Sequence, residues 1–146
     1  MFSIDVKIEG MDGIKRLPDE WKSGLRKGFR QAMIFVEGVA KKRFGKPGNI
    51  KARTGHYRRS ISTSVRMVGD NLTGTLAGNV VYAAPHEFGA TIFPKKGKYL
   101  RFPIRGHWVS VKKVVIPQRP LLTPSITENV DEIGEIIVDS IIKETD

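Results

Sequence analysis

The residues that could carry out chemistry are few and lie far apart in the sequence. His56, His86 and His107 occupy separate stretches, and none has a second histidine at the spacing of one helical turn. The pair His86-Glu87 begins like a zinc-protease motif, but that motif needs a second histidine four residues after the first, and Ala90 stands there. The sequence therefore predicts no metal site.

Covalent and acid–base catalysis find no better support. Ser60 and Ser110 lack the Gly-x-Ser-x-Gly turn that presents a nucleophilic serine, and no base is placed to activate either one. The acidic residues cluster in the C-terminal segment and form no pair in an apolar setting. The chain has no cysteine, which excludes thiolate chemistry and disulfides. We expect no catalytic residue, no cofactor and no enzymatic activity.

Length and composition fit one domain over residues 1–146, of a size that buries a substantial core. The N-terminal residues alternate in polarity and lack the basic start and apolar block of a signal peptide. No window approaches the roughly 20 apolar residues that a membrane span requires. The expected location is the cytoplasm, or a particle assembled there, with no membrane contact.

Charge is abundant and unevenly distributed. The formal net charge is +10. Residues 15–66 contain fifteen lysines and arginines against three acids, whereas residues 121–146 contain seven acids against one lysine. A basic first half with an acidic tail suits binding to nucleic acid. It suits equally a protein whose copies meet head to tail, basic face on acidic face.

Hydrophobic spacing predicts an α+β fold in which an antiparallel sheet packs against two helices. Alternating polarity marks the strands, and apolar residues three and four positions apart mark the helices. The predicted elements are a strand over 3–9, a long helix over 18–44, an antiparallel sheet over 61–116 with a protruding hairpin arm over 91–115, and a C-terminal helix over 124–143.

The helix boundaries rest on local signals. Pro18 and the acids after it indicate the start of the long helix, and Trp21 is expected to open its buried stripe. Thr123 or Ser125 is expected to cap the C-terminal helix, and Ser125 and Glu128 have the spacing of a capping box. Its expected buried stripe consists of Ile126, Val130, Ile133, Ile137 and Ile141.

Residues 80–124 read as a clasp that holds the arm between two turns. The first turn contains Glu87, which is expected to pair with Arg119 or Arg58 in the same chain or else to contact a neighbouring subunit. Phe88 follows it and is expected to support the fold as an apolar anchor. The arm has a basic tip, and its aromatic residues either reach a neighbouring subunit or cover the chain's own core. Its candidate contact residues are Lys95, Lys96, Lys98, Tyr99 and Trp108.

The segment 49–60 is rich in cations and carries one aromatic residue. Thr54 and Gly55 predict a short helical turn that places Tyr57 inward and Arg58 and Arg59 outward. The two arginines suit contacts with phosphates or an ion pair with a neighbouring subunit. The sequence leaves both readings open.

Three groups of residues, taken together, resemble a family of small virion proteins of tailed DNA bacteriophages. These are the tail-component, neck and tail-completion proteins similar to the minor tail protein Z of phage lambda, and the phage virion-morphogenesis proteins. The groups are Thr54-Gly55-x-Tyr57-Arg58-x-Ser60-Ile61, then Tyr82-Ala83 leading to His86-Glu87-Phe88-Gly89, then Ile116-Pro117-x-Arg119-Pro120-Leu121-Leu122.

The resemblance implies a structural protein that forms a six-fold or twelve-fold homo-oligomeric ring at the head–tail junction or the head-proximal end of the tail. Its partners would be other neck, connector and tail proteins, with non-specific contact to passing DNA, in a virion assembled in the host cytoplasm. The candidate subunit-interface or clasp residues are Arg58, Arg59, Glu87, Phe88, Lys95, Lys96, Lys98, Tyr99, Trp108, Arg119, Glu128, Asp131 and Glu135. The alternative is a basic nucleic-acid-binding module that contacts phosphates through the long helix and the 51–66 loop.

Overall fold

A computed structural model describes residues 2–8, 16–51, 53–68 and 71–146. Five helices and seven strands lie in these ranges, and the α+β class is confirmed. In chain order they are β1 (Phe2–Ile8), α1 (Asp19–Lys42), α2 (His56–Ser60), β2 (Ile61–Val68), β3 (Asn71–Gly78), α3 (Ala83–Phe88), β4 (Ala90–Ile92), β5 (Leu100–Ile104), β6 (His107–Val111), β7 (Val114–Ile116), α4 (Leu122–Thr127) and α5 (Val130–Thr145).

Helix α1 packs against α4, α5 and the strands β2 and β3. It begins directly after Pro18, as predicted, and ends at Lys42, two residues before the predicted end. Phe29 and Met33 are fully buried against the sheet, where Gly74 of β3 allows them to approach the backbone. The expectation for Trp21 was wrong: its side chain is 47% exposed, because the buried residues of α1 begin only one turn later.

Strands β1, β3 and β2 form an antiparallel sheet in that order. The predicted alternation along β2 is confirmed by a buried Ile61 and an exposed Ser62 and Ser64. The last residue of the predicted strand 3–9 lies outside the described residues.

The remaining strands do not extend this sheet. Strand β4 pairs with β7, and β5 pairs with β6, so the predicted sheet over 61–116 is three separate antiparallel sheets. The β5–β6 hairpin turns through Arg105 and Gly106, whose φ angles are 50° and 82°. Positive φ at both positions is the geometry of a two-residue hairpin loop that matches the twist of its strands. The β4–β7 pair forms the base of the arm.

The C-terminal helix predicted over 124–143 is interrupted. Helices α4 and α5 are separated at Glu128 and Asn129, and the capping-box prediction was wrong. The Ser125 hydroxyl donates to the Leu121 carbonyl inside α4 instead of capping a helix start. Val130, expected in the buried stripe, is largely exposed at the first position of α5.

Helix α5 packs along α1 at very short range. A Cβ atom added to Gly24 would lie 2.7 Å from the Ile141 Cα atom, and one added to Gly28 would lie 2.8 Å from the Ser140 Cβ atom. The two helices can approach this closely only because both α1 positions lack a side chain. This contact places the acidic C-terminal helix on the basic long helix within one chain.

Ion pairs reinforce the same contact. Lys27 donates to Glu144 at 2.7 Å, and Arg43 forms an ion pair with Glu128. The hydrogen bond from Lys27 lowers the pKa of the Glu144 carboxyl, with a smaller contribution in the same direction from the charge of Lys27. Part of the charge complementarity that the sequence offers for contacts between copies is therefore used inside the chain.

Candidate interaction surfaces

Glu87 joins the two ends of the arm to each other. Its side chain is only 1% exposed. The Oε1 atom accepts hydrogen bonds from the backbone N–H groups of Leu121 at 2.6 Å and Leu122 at 2.5 Å. The Oε2 atom accepts from the Thr123 backbone N–H at 3.4 Å and from the Thr123 hydroxyl at 3.0 Å. These four donors satisfy the hydrogen-bonding capacity of a carboxylate that is shielded from water.

The partner of Glu87 differs from the one expected. The carboxylate binds the first backbone N–H groups of α4, not the guanidinium of Arg119 or Arg58. These N–H groups have no partner inside their own helix, and α4 has no capping side chain at Leu121. Glu87 supplies the missing cap from α3.

The backbone of the clasp agrees with the prediction that two turns hold the arm between them. The Arg119 N–H donates to the His86 carbonyl at 2.8 Å, so the two turns meet, while the Arg119 side chain is exposed. The anchor expected at Phe88 was wrong, because its ring is 63% exposed and contacts Phe2 edge-on at 5.0 Å. Ala83, Leu121 and Leu122 are the fully buried apolar residues of this region.

A cluster of aromatic rings surrounds Tyr57, which points inward as predicted and is 5% exposed. Phe44, Tyr82 and His86 contact its ring at centroid distances of 5.3, 5.7 and 6.2 Å. Burial raises the pKa of the Tyr57 phenol, and the negative charge of Glu87 adds to the rise. Burial lowers the pKa of the His86 imidazole, and the charge of Arg119 acts in the same direction.

The aromatic cluster forms one wall of a cavity of about 360 Å³ whose mouth is cationic. Lys51, Arg53 and Arg58 line this mouth. An adjoining groove of about 440 Å³ adds Lys41 and Arg59. Arg58 and Arg59 are exposed, as predicted, and the structure brings them together with Lys51 and Arg53 of the same segment and with Lys41 of α1. This surface can attract anionic groups.

The arm contributes nothing to the core. Between residues 91 and 116 no side chain is buried, and β5 and β6 make most of their contacts with each other. Trp108 is 70% exposed, and Phe93, Tyr99 and Ile104 are also exposed. The stretch 91–115 contains seven lysines and arginines, including Lys95, Lys96 and Lys98, and no acid. The reading of an ordinary hairpin that covers its own core is therefore wrong.

The outward side of α5 carries acids and apolar residues together. Asp131 and Glu135 are exposed there. Glu128 is also exposed, but it lies at the break between α4 and α5 and forms an ion pair with Arg43. Val130, Val138 and Ile142 are exposed on the same helix. Sequence reasoning missed this apolar row, although its spacing of four and eight residues was visible.

Within residues 2–8, 16–51, 53–68 and 71–146, no three His, Asp or Glu residues lie close enough together to hold a metal ion. In the described part of the chain, no helix has the length and apolar character needed to cross a membrane. A scan of protein-family models, a search of curated proteins and a search of solved structures each found no match to the chain.

Proposed function

We propose that this chain is a non-enzymatic structural protein of a tailed-phage virion, which assembles into a ring at the head–tail junction as a neck, tail-completion or tail-terminator component. The observation that carries the proposal is the arm. It is an exposed hairpin with aromatic residues and seven cations, and it covers no part of its own core.

Physical chemistry favours a protein partner for such an arm. A two-stranded hairpin is at best marginally stable in water, and it gains stability when a third element covers one face. Exposed apolar patches of this kind mark interaction surfaces. Basic and acidic surfaces at different places on one chain favour a head-to-tail contact, and such contacts close into rings when the rotation between copies permits.

The sequence resemblance supports the same proposal at the level of individual motifs. Two of the three motif groups, which contain Glu87 and Leu121 respectively, form the clasp that holds the arm. The third group contains Tyr57, the centre of the aromatic cluster. The residues that carry the resemblance therefore lie in the clasp and in the aromatic cluster.

The proposal is tested by deleting the reading frame from a phage or prophage that carries it and imaging the particles. We expect filled heads and free tails that fail to join, and restoration of joined particles when the gene is supplied in trans. Mass spectrometry of purified virions should find the chain in the particles. Normal, infectious particles without the protein would rule the proposal out.

A second candidate function is non-specific nucleic-acid binding, which the cationic mouth beside Tyr57 favours. Replacing Arg58 and Arg59 with Ala should then weaken binding to duplex DNA and flatten its salt dependence by about two phosphate contacts. Gel-shift titrations at several salt concentrations measure both effects. Binding that the double substitution leaves unchanged would exclude this surface as a DNA site.

A further inference from the structure

Two exposed surfaces of this chain match each other in shape, charge and length. We propose that the outer face of the β5–β6 hairpin of one copy packs on the outward side of α5 of the next copy. This inference rests on the proposed ring and names the contact that would build it. The occupant of the α5 surface is thus a second copy of the chain.

The hairpin presents one face entirely to solvent. The cross-strand pairs Pro103–Trp108 and Arg101–Ser110 share this face, and all four side chains are exposed. The opposite face, with Leu100 and Phe102, is half-buried. Trp108 lies near the turn and is the largest apolar group available for a contact. Interfaces commonly place an aromatic anchor of this kind in a pocket of the partner.

Helix α5 offers a receiving surface with a notch. Val130, Val138 and Ile142 lie along one outward row at multiples of four residues, and Gly134 occupies the remaining position of that row. A Cβ atom at Gly134 would have no neighbour within 4 Å, so the gap opens to solvent. A flat indole ring such as that of Trp108 suits a shallow gap between apolar residues.

Charge and length match as well. Asp131, Glu135 and Asp139 form an acidic row beside the apolar one, whereas the hairpin and its flanks carry only cations. The five-residue strands span about 17 Å at the usual rise of a strand. The row from Val130 to Ile142 spans about 18 Å at the rise of a helix. The two surfaces can therefore cover each other over their full lengths.

The contact is head to tail because it joins different surfaces of identical chains. Pairing between two arms would bring cations together, and pairing between two α5 helices would bring acids together. Each copy has one free arm and one free α5 surface. Repetition of the contact adds copies in one direction, and the series closes into a ring when the rotation between copies permits.

Two single variants test the inference, one on each surface. Trp108→Ser removes the anchor from the arm, and Gly134→Leu fills the notch in α5 at a position where a Cβ atom has no neighbour within 4 Å. Each should weaken self-association by on the order of tenfold or more, measured by sedimentation velocity and native mass spectrometry. Ile34→Ser is the matched control, because this exposed α1 residue lies on neither surface and should leave self-association unchanged.

Mixing the variants gives the sharper result. A chain with a damaged arm keeps an intact α5 surface, and a chain with a filled notch keeps an intact arm. An equal mixture of the two should therefore form one-to-one dimers that cannot grow further, whereas each variant alone stays monomeric. Circular dichroism of each variant checks that its fold is retained.

A cross-link tests the contact even where the wild-type association is weak. Because the chain has no cysteine, Ser110→Cys in one population and Asp139→Cys in another should be joined by a short bismaleimide only in the mixture. Absence of this cross-link at high protein concentration overturns the inference, and so does oligomerisation that both variants leave intact. In the second case the ring proposal stands, because it is judged separately by particle assembly. Loss of DNA binding by Trp108→Ser with unchanged self-association would also overturn the inference.

Discussion

At the scale of single residues, Glu87 is the residue on which the local structure most depends. It lies 34 positions before Leu121 in the sequence, yet its carboxylate caps the helix that begins there. A cap normally comes from the residue next to the helix. A carboxylate near the first turn also interacts favourably with the helix dipole. The side chain therefore fixes the position of α4 relative to α3.

Replacing Glu87 with Gln should destabilise the fold. The amide keeps one acceptor oxygen but turns an NH2 group toward the Thr123 donors, and it removes the charge that strengthens the other hydrogen bonds. We expect a loss of about 1–3 kcal/mol in the free energy of unfolding, measured by urea denaturation. Glu132→Gln, at an exposed position of α5, is the matched control and should be nearly neutral. Equal stability of the two variants would contradict the capping role.

Stability should also depend on the protonation of His86. Its pKa in the folded chain lies below the ordinary value of 6.5, through burial and the charge of Arg119. The folded state therefore binds this proton less readily than the unfolded state. The contribution is complete above pH 6.5 and is lost as the pH falls through that value toward the folded pKa.

The measurement is the free energy of unfolding between pH 5 and pH 8. His86→Gln should reduce the slope of stability against pH in this window. His107→Gln is the control, because this exposed side chain contacts water in both the folded and the unfolded states. A slope that His86→Gln leaves unchanged would show that other groups control the acid response.

At the scale of elements, the contact between α1 and α5 holds the two longest helices together. It depends on close approach at Gly24 and Gly28, where any side chain would meet α5. The sequence pattern identified α1 but gave no reason to single out these glycines. Their role follows only from the position of α5.

Gly28→Ala should separate the two helices. The added Cβ would lie 2.8 Å from the Ser140 Cβ and 2.9 Å from the Ile137 Cα, and the backbone of α5 would have to move. We expect a loss of about 1–3 kcal/mol despite the better helix propensity of Ala. Gly38→Ala in the same helix meets no atom within 4 Å and should instead stabilise by about 0.5–1 kcal/mol. Thermal unfolding of the pair distinguishes packing from propensity.

Several elements could be read from the sequence, and the reasons for the failures are physical. Helix α1 and strand β2 were predictable because one face of each is buried and the spacing records it. The capping-box spacing at Ser125 was misleading, because the carboxylate of Glu87, which is distant in the sequence, caps α4. The row of isoleucines hid the break at Asn129, since apolar spacing continues on both sides of it.

The position of the clasp could be predicted from the sequence, but its hydrogen-bond partners could not. The two turns around Glu87 and Arg119 do meet, and the arm between them is exposed. The ion pair expected there was wrong because three backbone N–H groups at the start of α4 needed an acceptor. No local pattern indicates which distant helix start a buried carboxylate will serve.

At the scale of the whole molecule, the fold separates a packed body from an arm in which no residue between 91 and 116 is fully buried. Deleting residues 94–98 removes three lysines from the segment between β4 and β5, which the sequence placed at the tip of the arm although the hairpin turns at Arg105 and Gly106, and only Pro94 of this segment is even partly buried. We expect a soluble variant with near-wild-type thermal stability and impaired particle assembly, scored by plaque formation in complementation. Substituting the three lysines with Ser in the full-length chain separates the effect of charge from that of length. Normal assembly by the deletion variant would exclude the segment between β4 and β5 from the contact.

The attachment of the arm also has a mechanical consequence. Strand β4 leaves directly after α3 and β7 returns just before α4, so both roots of the arm lie beside the Glu87 carboxylate. A force that pulls on the hairpin is thus shared between two helices, which are held together by several hydrogen bonds loaded at the same time. The arm is therefore attached to the body at both of its ends. A connection that must survive tension between two large bodies would need an attachment of this kind.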